Sequence, residues 1–309
     1  MLVQVLLGGL AQGAILGLIA LGFSLVAGTV RVLHFAHGDI VVAAIFVGVL
    51  SVLGRVPIVA VLALGPSVLF VLLIVAAGAT LSSLVALIVV LPNLPNLPDR
   101  HRHAGDALGW IAGGLATGLL LREALGLAFP QQAYAIPDPF RFDQLVPGGL
   151  VHVPGGGTVQ IRSIVILVIG LGIGLIVEQS LVRSRVGLSM RAVADDPEGA
   201  ALCGVSARRV VMWAFGVAGV LAGIAGVLAA PARAISVDDG AVLGLAAAAA
   251  ALLGGLGSLR GALGGGLVVG LLQALAVYTL GPGWYDLAPL ALLLVLVALR
   301  PPGIRAKTT

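Results

Sequence analysis

Residues 183–209 read RSRVGLSMRAVADDPEGAALCGVSARR, a polar island between two apolar stretches at 163–182 and 210–230. Each of those stretches is long enough to cross a bilayer, which takes about 20 mainly apolar residues. An ordinary connection needs only a few residues, whereas this one carries five arginines and three carboxylates. It also carries the punctuation of a short helix. Asp196 suits an N-cap, Pro197 the first helical position, Glu198 the positive end of the helix dipole, and Gly204 the C-terminal stop. The pattern predicts a short capped helix held against the membrane between two spanning helices, with a surface suited to docking a soluble partner.

Working outward, the whole chain is built like those flanks. It is 60% hydrophobic and only 10% charged, with a mean hydropathy of +1.16. Soluble domains carry about 25% charged residues, so the composition excludes a soluble enzyme or binding module and predicts an all-α polytopic membrane protein. Candidate spans are 3–27, 40–53, 67–91, 107–129, 163–182, 210–230, 241–256, 262–280 and 285–299. The count is about nine, with eight to ten admissible. Residues 40–53 and 241–256 are short enough for half-helices or re-entrant segments. The stretch 58–91, broken early at Gly65-Pro66, has room for two helices. The first apolar segment lacks a basic n-region and a small-residue cleavage site, and is expected to be a retained span. The single cysteine, Cys203, excludes an intramolecular disulfide.

The positive-inside rule orients these spans. With the 183–209 island in the cytoplasm, Arg31, Arg100, Arg102, Arg260, Arg300, Arg305 and Lys307 also fall inside, giving twelve of seventeen basic residues. Arg55, Arg141, Arg162 and Arg233 fall outside, and Arg122 lies within a helix. The bias predicts an outside N-terminus and an inside C-terminus. The largest outside segment is the periplasmic loop 130–162, where VHVPGGGTVQI places two short arms about a glycine-rich turn and predicts a β-hairpin.

Small residues recur at Gly216, Gly219, Gly223 and Gly226, and at Gly261, Gly265, Gly266 and Gly270. Such stripes let helix backbones approach closely in lipid. GGLGSLRG at 254–261 lacks Gly-Lys-Ser/Thr, so it does not form a nucleotide loop. No GxSxG elbow or HExxH motif is present.

The second unusual feature is His34-Phe35-Ala36-His37-Gly38-Asp39, at the junction of the first two apolar segments. Ionisable residues at membrane depth are costly and mark functional sites by default. No further Cys, His or Glu cluster completes a metal site, so no metal and no cofactor is expected. Two readings stay open. The segment lines a translocation path, or it forms an irregular turn whose backbone groups find partners in His34, His37 and Asp39. A half-helix starting after Gly38 can also receive an anion. Glu178 is expected to pair with Arg183 or Arg185, Arg122 to pair with another helix or face a cavity, and Asp238-Asp239 to be solvated. Gln12 and Gln273 suit interhelical hydrogen bonds.

Four segments carry a family resemblance: GLAQGAILGLIALGFSLVAG leading into LHFAHGD, the stretch VGLSMRAVADDPEGAALCGVSARRV, LAAAAAALLGGLGSLRGALGGGLVVGLL, and the tail LLLVLVALRPPGIRAK. Together they cover most of the chain. The chain resembles the permease subunits of bacterial branched-chain amino acid ABC importers of the LivH type, whose close relatives serve urea and short amides. The segment at 90–110, with three prolines and RHRH, departs from that family's basic connector.

The resemblance implies one transmembrane permease domain over residues 1–309 in the bacterial inner membrane. It implies a second homologous permease subunit, two cytoplasmic ATP-binding subunits that hydrolyse the ATP, an extracytoplasmic solute-binding protein, surrounding lipid and no nucleic acid. Arg191, Asp195, Asp196, Pro197, Glu198 and Gly204 become the expected ATPase-coupling residues. His34, Phe35, His37, Gly38 and Asp39 become the expected path or turn residues. The alternative from another class is a secondary transporter or channel without ATPases, which would place ionisable residues mid-membrane and need no capped cytoplasmic helix.

Overall fold

The computed structural model describes residues 2–31, 34–52, 66–92, 105–129, 133–134, 136, 149–153, 157–232 and 234–299. The second helix allowed for within 58–91, the Pro-rich segment 92–106 and most of the loop 130–162 fall largely outside these residues. In chain order the elements are α1 (Leu2–Val30), α2 (His37–Val52), α3 (Pro66–Val85), α4 (Gly105–Ala128), β1 (Leu150–Val153), β2 (Gly157–Gln160), α5 (Ile161–Arg183), α6 (Arg185–Asp195), α7 (Pro197–Leu202), α8 (Ala207–Ala229), α9 (Asp239–Gly254), α10 (Leu259–Leu280) and α11 (Trp284–Leu299).

Nine of the described helices are apolar, matching the nine segments read from the sequence. Six are long enough to cross a membrane, within α1, α3, α4, α5, α8 and α10. The shorter apolar helices are α2, α9 and α11. α3 begins on Pro66, whose missing N–H costs nothing at a helix start, and runs into a π-helical turn over Ala86–Val90. The hairpin expected in VHVPGGGTVQI is present, with Val151 opposite Val159 and His152 opposite Thr158.

α1 is the hub. It packs along α10 and also against α8, α5 and α9, and its side chains from Ala11 to Ala27 are almost all buried except Gln12. The α1–α10 seam is made of backbone. A Cβ on Gly13 would press on Leu267 and the carbonyl of Gly266, and one on Gly266 or Gly270 would overlap Gly17 or Gly13. α1 and α10 run antiparallel, because Gly9 meets Ala274 while Gly28 meets Gly257. α8 uses its own glycines on α3, where Gly219 meets Gly78 and Ala79, and Gly223 meets Val75. Ser82 closes that interface by donating to the Phe215 carbonyl at 2.7 Å. With no hydrophobic drive between helices in lipid, close backbone approach and such hydrogen bonds hold the bundle.

An ion pair ties the end of α1 to the polar island. Arg31, just after α1, lies 3.2 Å from Asp195 at the end of α6. Both therefore lie at one end of the bundle.

Candidate functional site

Two constellations carry the polar chemistry, one at the island and one at the junction of α1 and α2. The island is not one helix but two. α6 is N-capped by Ser184, whose Oγ accepts from Gly187 N–H at 3.1 Å. α7 is the expected capped helix. Asp196 Oδ1 accepts from the backbone N–H of Glu198 at 3.1 Å and of Gly199 at 3.0 Å, and Pro197 follows the cap. Its end is a Schellman closure. Gly204 N–H donates to the Ala201 carbonyl and Val205 N–H to the Ala200 carbonyl, both at 2.9 Å. Gly204 sits at φ +79°, which glycine adopts without a Cβ penalty.

The island is seated on the bundle. Met190, Val193 and Ala200 are buried in an apolar cluster with Leu25, Leu181, Val210 and Ala214. Gly187 is pressed on the Leu181 carbonyl so closely that no Cβ fits. Arg191 donates to the Val182 carbonyl at 3.3 Å, closing the end of α5. Thus Asp195, Arg191, Asp196, Pro197 and Gly204 each have a place inside the chain's own architecture: an ion pair, a helix-end contact, an N-cap, the first helical position and a C-terminal stop. Glu198 is exposed in the first turn of α7.

The outward face carries residues the sequence reading passed over. Leu202 is 91% exposed and Leu188 62% exposed, with Cys203, Arg185, Arg208 and Arg209 beside them in the exposed set. The signal was available in α6. With Gly187, Met190 and Val193 spaced three apart as the inward stripe, Leu188 falls out of phase and must face away.

The second constellation sits deep in the bundle. Gly38 in the first turn of α2 crosses Gly240 and Gly244 in the first two turns of α9, and a Cβ at Gly38 would collide with the Gly240 carbonyl. Asp39 Oδ1 accepts from Arg122 of α4 at 3.2 Å, with Asp39 9% and Arg122 24% exposed by side chain. Arg122 Nε also lies 3.9 Å from Asp238, which is exposed. One arginine on α4 therefore joins the starts of two short helices, as the expectation for Arg122 required. The first turn of α2 is already occupied by the chain's own carboxylate, so an incoming anion would have to displace Asp39 from Arg122.

His34 and His37 are buried, and their rings do not bond the backbone of the junction, against one of the two readings that the sequence leaves open. The turn closes on itself, with His37 N–H donating to the His34 carbonyl at 3.2 Å and Ile40 N–H to the Ala36 carbonyl at 2.9 Å. The imidazoles meet aromatic rings edge-on instead, His34 on Phe215 at 5.2 Å and His37 on Phe23 at 6.4 Å. Phe35 joins the same group through Phe23. Among the described residues, His34 Nε2 and both His37 ring nitrogens have no hydrogen-bond partner.

Glu178 corrects a further expectation. It pairs with Arg260 at the start of α10, 2.8 Å away, and not with Arg183 or Arg185. Gln273 does make an interhelical bond, donating to the Tyr285 carbonyl at 3.0 Å. Asp239 accepts from Ser236 N–H at 2.8 Å, closing the turn before α9.

Comparison with known proteins agrees with this architecture. Curated relatives include the high-affinity branched-chain amino acid transport system permease protein BraD of Pseudomonas aeruginosa. It is 26% identical over 97% of this chain and 94% of its own length. The LivH proteins of Escherichia coli K12 and Salmonella typhimurium, described in the same words, are 27% and 26% identical over the same shares. The family model described as branched-chain amino acid transport system, permease component, matches residues 5–298. A multi-pass bundle of apolar helices matched over nearly its whole length in this way belongs to that family of membrane permeases.

Proposed function

We propose that this chain is one of two permease subunits of an ATP-driven importer for branched-chain amino acids or a similar small polar solute. A second, homologous permease completes the path. Two cytoplasmic ATP-binding subunits hydrolyse the nucleotide, and an extracytoplasmic binding protein delivers the solute. The observation that carries this reading is the build of the cytoplasmic island. Two capped helices are anchored to the bundle by an apolar underside and by Arg31 and Arg191, while Leu188, Leu202 and Glu198 stand outward. An island of this kind takes a push from a soluble partner and passes it to α1, α5 and α8.

Residues 1–309 then act as a single permease domain. On this reading the Asp39–Arg122 pair, together with His34 and His37, supplies polar groups to the path through the membrane. The unpartnered imidazole nitrogens support placing that cluster on the path. Alternating access follows from rocking of the helix bundle about this deep crossing of α2 and α9.

The test is affinity purification of the chain from its native membrane in mild detergent, followed by mass spectrometry and reconstitution. Two ATP-binding subunits and a second permease are expected to remain bound, and the assembly to take up leucine only with ATP and the binding protein. Recovery of the chain alone, active without ATP, would overturn the reading.

A further inference from the structure

A cavity of about 380 Å³ opens at the cytoplasmic end of the bundle, away from the Asp39–Arg122 crossing. Its size falls within the range of small-molecule sites, about 300–1,000 Å³. It lies between the C-terminal turns of α1, the ends of α5, the turn before α10, and α6. Anything that fills it therefore touches both the bundle and the island.

The lining is of three kinds. Glu178 supplies a carboxylate only 5% exposed. Arg260 and Arg191 supply cations toward solvent, Arg260 being 75% exposed. Leu25, Leu181 and Met190 supply an apolar wall. A buried carboxylate needs a partner, and Glu178 takes Arg260 at 2.8 Å. Because Arg260 is mostly in water, its guanidinium can turn outward at little cost. An ammonium can then take Glu178 while a carboxylate takes the arginine, and every charge stays paired. The complementary ligand has an ammonium, a carboxylate and an aliphatic body.

We propose that this cavity is a cytoplasm-facing site for an α-amino acid with an aliphatic side chain, whose binding holds α6 against the bundle and slows the ATP-driven cycle. The binding stands on the cavity alone. The slowing rests on the coupling role proposed for the island. A ligand that bridges α6 to α1 and α5 favours the arrangement seen here over any in which α6 moves.

The experiment uses the complete assembly in vesicles with its cytoplasmic face outward. Basal ATP hydrolysis is read without the binding protein, so that delivery of cargo plays no part. Leucine added to the cytoplasmic face is expected to lower hydrolysis about fivefold or more. Leucinamide, which lacks the carboxylate, and 4-methylpentanoate, which lacks the ammonium, are expected to leave it unchanged. Arg260→Met, at an exposed position, and Glu178→Gln are each expected to remove the leucine response. Equal inhibition by leucinamide, an unaltered response in Arg260→Met, or no response to leucine in the unaltered assembly would overturn the proposal. Release of leucine from vesicles of the same orientation, loaded with leucine and the binding protein, is read separately, so rejection of the proposed cargo is distinguished from rejection of the site.

Discussion

The guanidinium of Arg122 and the carboxylate of Asp39, 3.2 Å apart, join α4 to the first turn of α2, 83 residues away in sequence. Removing one member leaves the other charged inside the bundle. Arg122→Gln is expected to lower stability by about 3 kcal/mol, the low end for a broken buried pair because Arg122 keeps some solvent contact. The double variant Arg122→Gln/Asp39→Asn should recover part of that loss. Thermal unfolding of the purified chain in detergent measures both, and a single variant as stable as the original would show that the pair contributes nothing.

Gly38 tests the crossing of α2 and α9 directly. Gly38→Ala must push the Gly240 carbonyl and the Gly244 backbone aside, and backbone cannot yield as a flexible side chain can. Overpacking of this kind costs about 1–3 kcal/mol or more. Reduced folded yield and lost solute uptake are expected. Gly264→Ala, on the neighbouring α10 with open space around the added methyl, should behave as the original and serves as the control.

The outward leucines of the island separate coupling from folding. Leu202→Asp, at a position 91% exposed, is expected to change stability by no more than about 0.5 kcal/mol. It should sharply reduce transport-coupled ATP hydrolysis. Asp196→Ala removes the cap of α7 at about 1 kcal/mol, and Arg191→Ala removes the contact to the end of α5. Both are expected to insert normally and to hydrolyse ATP less in response to solute. Unchanged coupling in all three variants would end the docking role of the island.

Cys203 provides a reporter at no structural cost, being the single cysteine and exposed beside Leu202. A membrane-impermeant maleimide should label it in inside-out vesicles and not in sealed right-side-out ones. Bound ATP-binding subunits should slow that labelling. Labelling from the outside would invert the topology.

Much of this was legible in the chain, for reasons that differ by element. The apolar spans are visible because lipid demands long runs of apolar residues, and α7 because Asp196, Pro197 and Gly204 each answer a local backbone requirement. α6 escaped notice, since RVGLSMRAVAD is short and half polar, and its inward stripe has meaning only once the ends of α1 and α5 lie beneath it. The partner of Glu178 was also out of reach. Arg183 and Arg185 are near it in sequence, but Arg260 is brought to it by the antiparallel packing of α10 on α1, which is a property of the assembled bundle. Likewise the histidines of the HFAHGD segment signal an unusual place without revealing that Phe23 and Phe215 receive their rings.

The enclosure of α1 has a mechanical consequence. A helix lined with glycine against α10 and gripped along its other faces by α5, α8 and α9 cannot slide like a piston, because each glycine contact is a notch that fits at one height only. A push delivered to Arg31 through Asp195, as the proposed coupling role requires, would therefore tilt the helices locked to α1 as a block. A methyl added at one notch, as in Gly13→Ala, would press on the Leu267 and Gly266 backbone and is expected to wedge α1 away from α10 at a cost of about 1–3 kcal/mol or more.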